Sequence, residues 1–372
     1  MKRRVHVLIM TILMIVLATG TAFADNREDT EDTEEYLVGF KNEAAVQAFS
    51  NNVTTSAVEV QHEYENLPVI VSELSTEVAQ LLENDPSVEF IEKNERVYLD
   101  PLVMNNIQET DIPKLEERMK RGDGVKIAVL DTGIASHDDL HVIDGVSFVS
   151  VEPFYRDLNG HGTHVAGTIA AQENDEASTG IAPNVELYAV KVLNGLGAGS
   201  IASITNGIDW AISNDMDIIN MSLGTNTDSE ALQRAVERAH DHGILIIAAA
   251  GNSGEADKQH TIDYPARYDS VVAVGAVDGN NERASFSSYG EQLEIMAPGV
   301  EIHSTFLFNR YERLSGTSMA SPHVTGAAAL IKSNNPELTN EQIRKRLNTT
   351  ATPLGNPFYY GHGLLNVDAA LD

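Results

Sequence analysis

Apolar and polar positions change rhythm once along this chain. Up to residue 92 the apolar residues come in short alternating segments. They predict a strand at 36–40, a helix at 43–50, strands at 57–61 and 69–74, a helix at 75–82 and a strand at 88–92. The order β-α-β-β-α-β is that of a small ferredoxin-like α+β domain. A unit of roughly sixty residues buries little surface, so it is expected to be marginally stable alone. From Gly122 onward the runs are longer and apolar on both faces: 125–130, 187–193, 218–223, 244–250 and 271–277. Helical patterns separate them, and Ile201, Ile204, Ile208 and Ile212 show the clearest three-and-four spacing. This pattern predicts an α/β fold, a mostly parallel sheet covered by helices on both faces. Ligands of such sheets bind beyond the carboxyl ends of the strands, where Asp131, Ser222-Leu223-Gly224 and Gly251-Asn252 fall.

The amino terminus follows a different logic. Lys2, Arg3 and Arg4 form a basic head, residues 5–17 an apolar run, and Ala22-Phe23-Ala24 a small-x-small cleavage site. Residues 1–24 therefore read as an export signal that is cleaved. The run is too short, and too soon followed by acidic residues, to serve as a membrane span. The mature protein is expected to be secreted and extracellular, with no membrane attachment. Residues 25–35 are an acidic run that self-repels and reads as a solvated linker.

Composition narrows the function further. Asp and Glu number 55 against 25 Lys and Arg, giving a formal charge of −30. Such a chain repels the phosphate backbone, so nucleic acid is excluded as a partner, and an acidic surface favours solubility in salt or alkali. Cys is absent, which removes disulfides, thiolate zinc sites and cysteine nucleophiles.

Three segments carry candidate chemistry. Asp131 ends an apolar strand in Leu130-Asp131-Thr132-Gly133; His161 stands in Asn159-Gly160-His161-Gly162-Thr163-His164; Ser318 stands in Ser315-Gly316-Thr317-Ser318-Met319-Ala320. Taken singly, Asp131 and Ser318 are equally readable as helix caps or strand-end polar residues. His161 and His164 are three apart with no Glu between them, which does not match the zinc-protease helix. Taken together, the three supply a nucleophile, a base and a carboxylate that fixes the imidazole tautomer, the set that acyl transfer needs. Asn252 adds an amide N–H for an oxyanion, and a helix beginning near Ser318 adds a backbone N–H.

These segments, in the chain order Asp, His, Ser, resemble the active-site blocks of the subtilisin family of serine proteases, whose order is the known example of this arrangement. The region 112–372 is similar to the secreted alkaline subtilisins of bacilli. The α/β-hydrolase alternative fails on chain order and on Ala320, where its nucleophile elbow needs Gly. The resemblance implies a broad-specificity endopeptidase acting on proteins and peptides, with Asp131, His161, Ser318 and Asn252 as catalytic residues. It implies that Ser222, Leu223, Gly224, Ala249, Ala250 and Gly251 wall the S1 pocket, while Gly197, Ala198 and Gly199 pair with substrate backbone. Asp263 departs from the family by placing an acid deep in that pocket, where it would favour Lys or Arg at P1.

By the same resemblance, residues 25–99 are a propeptide, folded from about residue 36, that acts as intramolecular chaperone and inhibitor. Self-cleavage near Leu99-Asp100 would leave 100–372 as the peptidase domain, expected to be a monomer. Calcium is the implied structural ion, held by Asp139 and Asn174 side chains and the carbonyls of Gln172, Glu176 and Ser178. A weaker site is implied at the carbonyls of Ala266, Tyr268 and Val271. Pro101 stands where the family has a ligating Gln. Met319, beside Ser318, is the implied point of oxidation sensitivity. Two other classes fit parts of the pattern: a non-catalytic peptide-binding relative, and an acidic envelope-anchored structural protein.

Overall fold

The computed structural model describes residues 33–51, 58–99, 120–174, 179–254 and 260–372, so the signal and most of the acidic run lie outside the described residues. The chain divides into two compact units, one reaching Glu95 and including Ser229–Arg234, the other holding the remainder.

The first unit contains β1 (Thr33–Phe40), α1 (Glu43–Ser50), β2 (Val58–Glu63), β3 (Val69–Ser75), α2 (Thr76–Leu82) and β4 (Val88–Lys93). Its four strands form an antiparallel sheet in the order β2-β3-β1-β4. Both helices start where a side chain satisfies a free backbone N–H: Asn42 accepts from Ala45, and Ser75 from Val78. Val38, Phe40, Val46, Phe49, Ile70, Leu74 and Leu82 make the core. Gly39 is required in β1, because a Cβ there would lie 1.9 Å from the Phe90 ring.

The second unit carries β5 (Arg96–Tyr98), β6 (Lys126–Asp131), β7 (Val142–Ser147), α3 (His161–Ala170), β8 (Glu186–Lys191), β9 (Ala198–Ser200), α4 (Ile201–Ser213) and β10 (Ile218–Met221). It continues with α5 (Glu230–Asp241), β11 (Leu245–Ala249), β12 (Val271–Val277), β13 (Leu293–Pro298), β14 (Ile302–Phe306), β15 (Arg310–Leu314), α6 (Thr317–Asn334) and α7 (Asn340–Thr350). The first turn of α5 belongs with the first unit. Two short helices, Pro357–Tyr360 and Val367–Leu371, close the chain.

Seven parallel strands form the main sheet in the order β13-β12-β11-β10-β6-β8-β7. Helices cover both faces. Ile127, Val129, Ile247, Val272 and Val274 face α3 and α6, while Leu130, on the opposite face of β6, meets α4 at Gly207. Helix α6 is rich in Ala, Ser, Thr and Gly and is buried almost all round, as befits a helix inside the core. The α/β architecture is the one the apolar runs predict. The alternation did not reveal β7, β13 or the β14–β15 hairpin. β7 is a half-exposed edge strand interrupted by Asp144-Gly145, so it lacks a continuous apolar face. Among the described residues no helix is long and apolar enough to cross a membrane.

Candidate active site

Asp131 is the last residue of β6, at the sheet's carboxyl edge, and is fully buried. Its carboxylate accepts the Nδ1 hydrogen of His161, at 2.8 Å to Oδ1 and 3.0 Å to Oδ2, and Oδ1 also takes the N–H of Thr132 at 2.7 Å. Donation from Nδ1 fixes the imidazole tautomer and leaves Nε2 as the atom that can take a proton. His161 opens α3. The N-cap, Gly160, has no side chain with which to cap, and Asp157 replaces it. Asp157 Oδ1 accepts from Asn159 N and Gly160 N, and Oδ2 from Thr163 N and Oγ1 at 3.0 and 2.6 Å. A carboxylate at this helix end also satisfies the positive pole of the helix dipole.

Ser318 is the second residue of α6, which packs against α3. Pro322 lies four residues on and has no N–H to give the Ser318 carbonyl. That carbonyl instead accepts from Ser222 Oγ at 2.9 Å, which ties the first turn of α6 to the end of β10. Asn220 Nδ2 and Ser321 Oγ complete this buried cluster around Ser222. Ser318 Oγ donates to the Ser222 carbonyl at 3.1 Å.

Asn252 is held by its oxygen: Oδ1 accepts from Thr317 N and Thr317 Oγ1, both at 3.0 Å. Its Nδ2 thus faces Gly316. A Cβ at Gly316 would lie 3.3 Å from Asn252 Nδ2 and 3.7 Å from Ser318 N, so the two donors border one small space that a side chain would fill. Paired N–H donors around such a space are what a tetrahedral oxyanion requires.

The implied substrate-binding residues also gather here. In β9, Ala198–Ser200 pairs antiparallel with β5, and Leu99 N donates to the Gly197 carbonyl at 2.8 Å. Tyr98 bridges antiparallel to Gly224 on the other side, so Arg96 to Leu99 lies as a strand between the two segments. Leu223, Ala249 and Ala250 are buried. Gly251 N donates to Thr317 Oγ1 at 3.1 Å, which places that wall against the serine turn. Asp263 is nearly buried, and its Oδ2 is 2.2 Å from where a Cβ of Gly251 would stand and 3.6 Å from that of Gly224. Met319 is fully buried.

The implied calcium ligands divide. Asp139 and Asn174 hydrogen-bond to each other, Asp139 Oδ2 accepts from Tyr311 at 2.7 Å, and the Asp139 carbonyl accepts from Gln172 N at 2.9 Å. The Gln172 side chain turns away to the Pro183 carbonyl. Glu176 and Ser178 lie outside the described residues. Carboxylate, amide and carbonyl oxygens are the donors a hard cation takes, so this first set fits calcium in kind, although the described residues contain no group of three His, Asp or Glu around a point. In the second set two of the three carbonyls already have hydrogen-bond partners. The carbonyl of Tyr268 accepts from Val271 N, and that of Val271 from Arg344 Nη2 at 3.3 Å. Arg344 is fixed by Glu294 at 2.6 and 2.7 Å and by the Asp269 carbonyl, so a permanent cation already stands at the Val271 carbonyl.

The roles of several residues at this site escaped the sequence reading. Thr317 orients Asn252; its only signal was adjacency to Ser318. His164 Nε2 donates to the carbonyls of Ile302 and Glu312 at 2.9 and 3.1 Å, joining α3 to the hairpin that leads into Ser318. Burial lowers its pKa to about 3. Lys191 is a lone cation closing an apolar strand, and that placement is its one signal in the sequence.

A buried carboxylate–imidazole pair at the carboxyl edge of a parallel sheet, with a packed helix whose second residue is a serine, fits a serine hydrolase of α/β architecture. Residues 122–363 match the model of the subtilase family, peptidase S8. The chain is 47% identical over 371 residues to a thermostable alkaline protease of Halalkalibacterium halodurans, covering all of this chain and 99% of that protein. It is 45% identical over 365 residues to subtilisin E of Bacillus subtilis, covering 96% and 95%. It is 58% identical over 258 residues to subtilisin DY of Bacillus licheniformis, covering 69% of this chain and 94% of that one. The chain belongs to the subtilase family and is a subtilisin-type serine endopeptidase.

Proposed function

We propose that the protein is a secreted alkaline peptidase of broad specificity that hydrolyses peptide bonds through Asp131, His161 and Ser318. The buried hydrogen bond between Asp131 and His161 carries this reading, because it presets the imidazole to receive a proton at Nε2. Rotation of the Ser318 hydroxyl away from the Ser222 carbonyl delivers its proton to Nε2 as Oγ attacks the scissile carbonyl. Asn252 Nδ2 and Ser318 N hold the resulting oxyanion. His161 then protonates the leaving amine, and a water repeats the cycle on the acyl-enzyme.

Residues 1–24 direct export, residues 25–99 form the propeptide, and residues 100–372 the peptidase. The pairing of Arg96 to Leu99 with Gly197–Gly199 and Gly224 supports self-cleavage near Leu99-Asp100, since it lays the propeptide tail along the strand positions a substrate would take. The same occupancy makes the propeptide an inhibitor until it is cut. A slow-folding parallel sheet gives it a second use as an intramolecular chaperone. Asp263 at the floor between Gly224 and Gly251 supports a preference for a basic P1 residue. Calcium would be held by Asp139, Asn174 and the Gln172 carbonyl, cross-linking two loops; a fall in melting temperature in EDTA supports it and an unchanged one removes it.

The test is intact mass of the secreted product from the wild type and from Ser318→Ala. Loss of about a hundred N-terminal residues in the wild type alone makes Ser318 the nucleophile and dates maturation to self-cleavage. Identical products from both overturn self-processing.

A further inference from the structure

Lys191 closes β8 with its side chain fully buried, and all of its ammonium hydrogens are spoken for. Nζ donates to the carbonyl of Thr132 at 2.7 Å, to that of Leu193 at 2.9 Å and to Glu152 Oε2 at 2.9 Å. Thr132 follows Asp131 and also accepts, through Oγ1, the N–H of Gly162 beside His161. Glu152 in turn receives the Gly195 N–H on both oxygens, at 2.9 and 3.1 Å. Burial alone would raise the Glu152 pKa, but the Gly195 N–H and Lys191 outweigh it and hold the carboxyl ionised below its ordinary range.

One ion pair therefore joins the turn after Asp131 to the segment from Leu193 to Gly199. That segment contains Gly195, Gly197 and Gly199. Glycines lose the most conformational freedom on ordering, so an unanchored stretch of this composition would have to be ordered by each arriving substrate. Asn159 Nδ2 ties the segment again at the Gly195 carbonyl, at 3.1 Å, and Asn194 Oδ1 shapes the turn within it by accepting from Leu196 N and Ala198 N at 2.9 and 3.1 Å, which leaves the outside ties to fix where that turn sits. We propose that the Lys191–Glu152 pair is the anchor that preorders residues 195–199 for extended peptide chains, which makes both side chains positioning residues for peptide hydrolysis. The inference rests on the reading above that Gly197–Gly199 pairs with substrate backbone. Neither side chain touches the reacting atoms. The pair acts on binding of the chain upstream of the cleaved bond and leaves the chemistry at Ser318 alone.

The test compares matured wild type with Glu152→Gln, Lys191→Met and the double variant, per titrated active site. One substrate is a peptide amide with four residues before the cleaved bond, and the other is an acylated single amino-acid ester that does not reach residues 197–199. The proposal expects KM for the peptide to rise about tenfold in Glu152→Gln while kcat and KM for the ester stay within about twofold. Equal changes on both substrates, or no change on either, overturn it, because a purely structural ion pair has no reason to sense substrate length. If Glu152→Gln fails to accumulate, the double variant, which leaves no buried charge unpaired, carries the same comparison. Amide exchange of residues 194–199 in the Ser318→Ala background reads the anchor without turnover. Faster exchange on loss of Glu152 is expected, and unchanged exchange overturns the proposal. A wild type inactive on both substrates would refute the catalytic reading while leaving the exchange test intact.

Discussion

Acid should unfold this protein through two histidines that play no part in proton transfer. Burial holds the pKa of His164 at about 3 and that of His323 at about 4, against an ordinary 6.5. Both are neutral in the folded core. His164 gives its one hydrogen to the Ile302 and Glu312 carbonyls, and its Nδ1 has no partner among the described residues. His323 donates from Nδ1 to the Met319 carbonyl at 2.9 Å. Because the folded pKa values lie below the unfolded ones, the stabilisation is complete above pH 6.5 and is lost as pH falls toward 4 and then 3. Each histidine takes up a proton on unfolding in that window, worth about 1.4 kcal/mol per pH unit, so the two together remove roughly 4 kcal/mol by about pH 5. That is a large share of the roughly 5–15 kcal/mol that holds a domain folded. Urea unfolding of the Ser318→Ala protein between pH 8 and 5 avoids autolysis and gives the slope directly. His323→Gln should make that slope shallower by about 1.4 kcal/mol per pH unit below 6.5. An identical slope in parent and variant would refute the argument, since carboxylate titration is common to both.

Asn252→Ala should lower kcat by about 10²–10³, the magnitude known for the oxyanion-hole Asn of a subtilisin, with KM little changed. A proportional loss of melting temperature would show instead that the Thr317 contacts are structural. Asp263→Ser should shift the ratio of kcat/KM for Lys over Phe at P1 downward by about tenfold or more, and an unchanged ratio means the carboxylate does not meet P1. Phe308 sits at the tip of the β14–β15 hairpin with φ +61° and its ring largely exposed. Phe308→Gly should therefore stabilise by about 1 kcal/mol, read by urea unfolding, and a destabilised variant would show that the ring's contact over Arg310 outweighs the backbone strain.

Much of this molecule was legible in one dimension because its signals are local. The runs at 125–130, 244–250 and 271–277 are apolar on both faces, a pattern that only a sheet covered on two sides satisfies, and the observed strands lie within a residue of them. Asp131, His161 and Ser318 were readable as residue types that acyl transfer needs, in an order that narrowed the family. The edge strand β7 was not readable, because an edge exposed to water imposes little apolar pattern on its residues.

What tertiary structure alone decided are the contacts between segments far apart in the chain. No local pattern announces that Pro322 releases the Ser318 carbonyl to Ser222, that Asp157 caps the helix of His161, or that Arg344 takes the Val271 carbonyl. Nor does sequence place Lys191 on Glu152 and both on the glycine segment that pairs with β5. The physical reason is common to all of them. Hydrophobic periodicity records which face of an element is buried, whereas a buried polar group is satisfied by whichever partner the packed fold brings within about 3 Å of it, and that partner has no fixed distance along the chain.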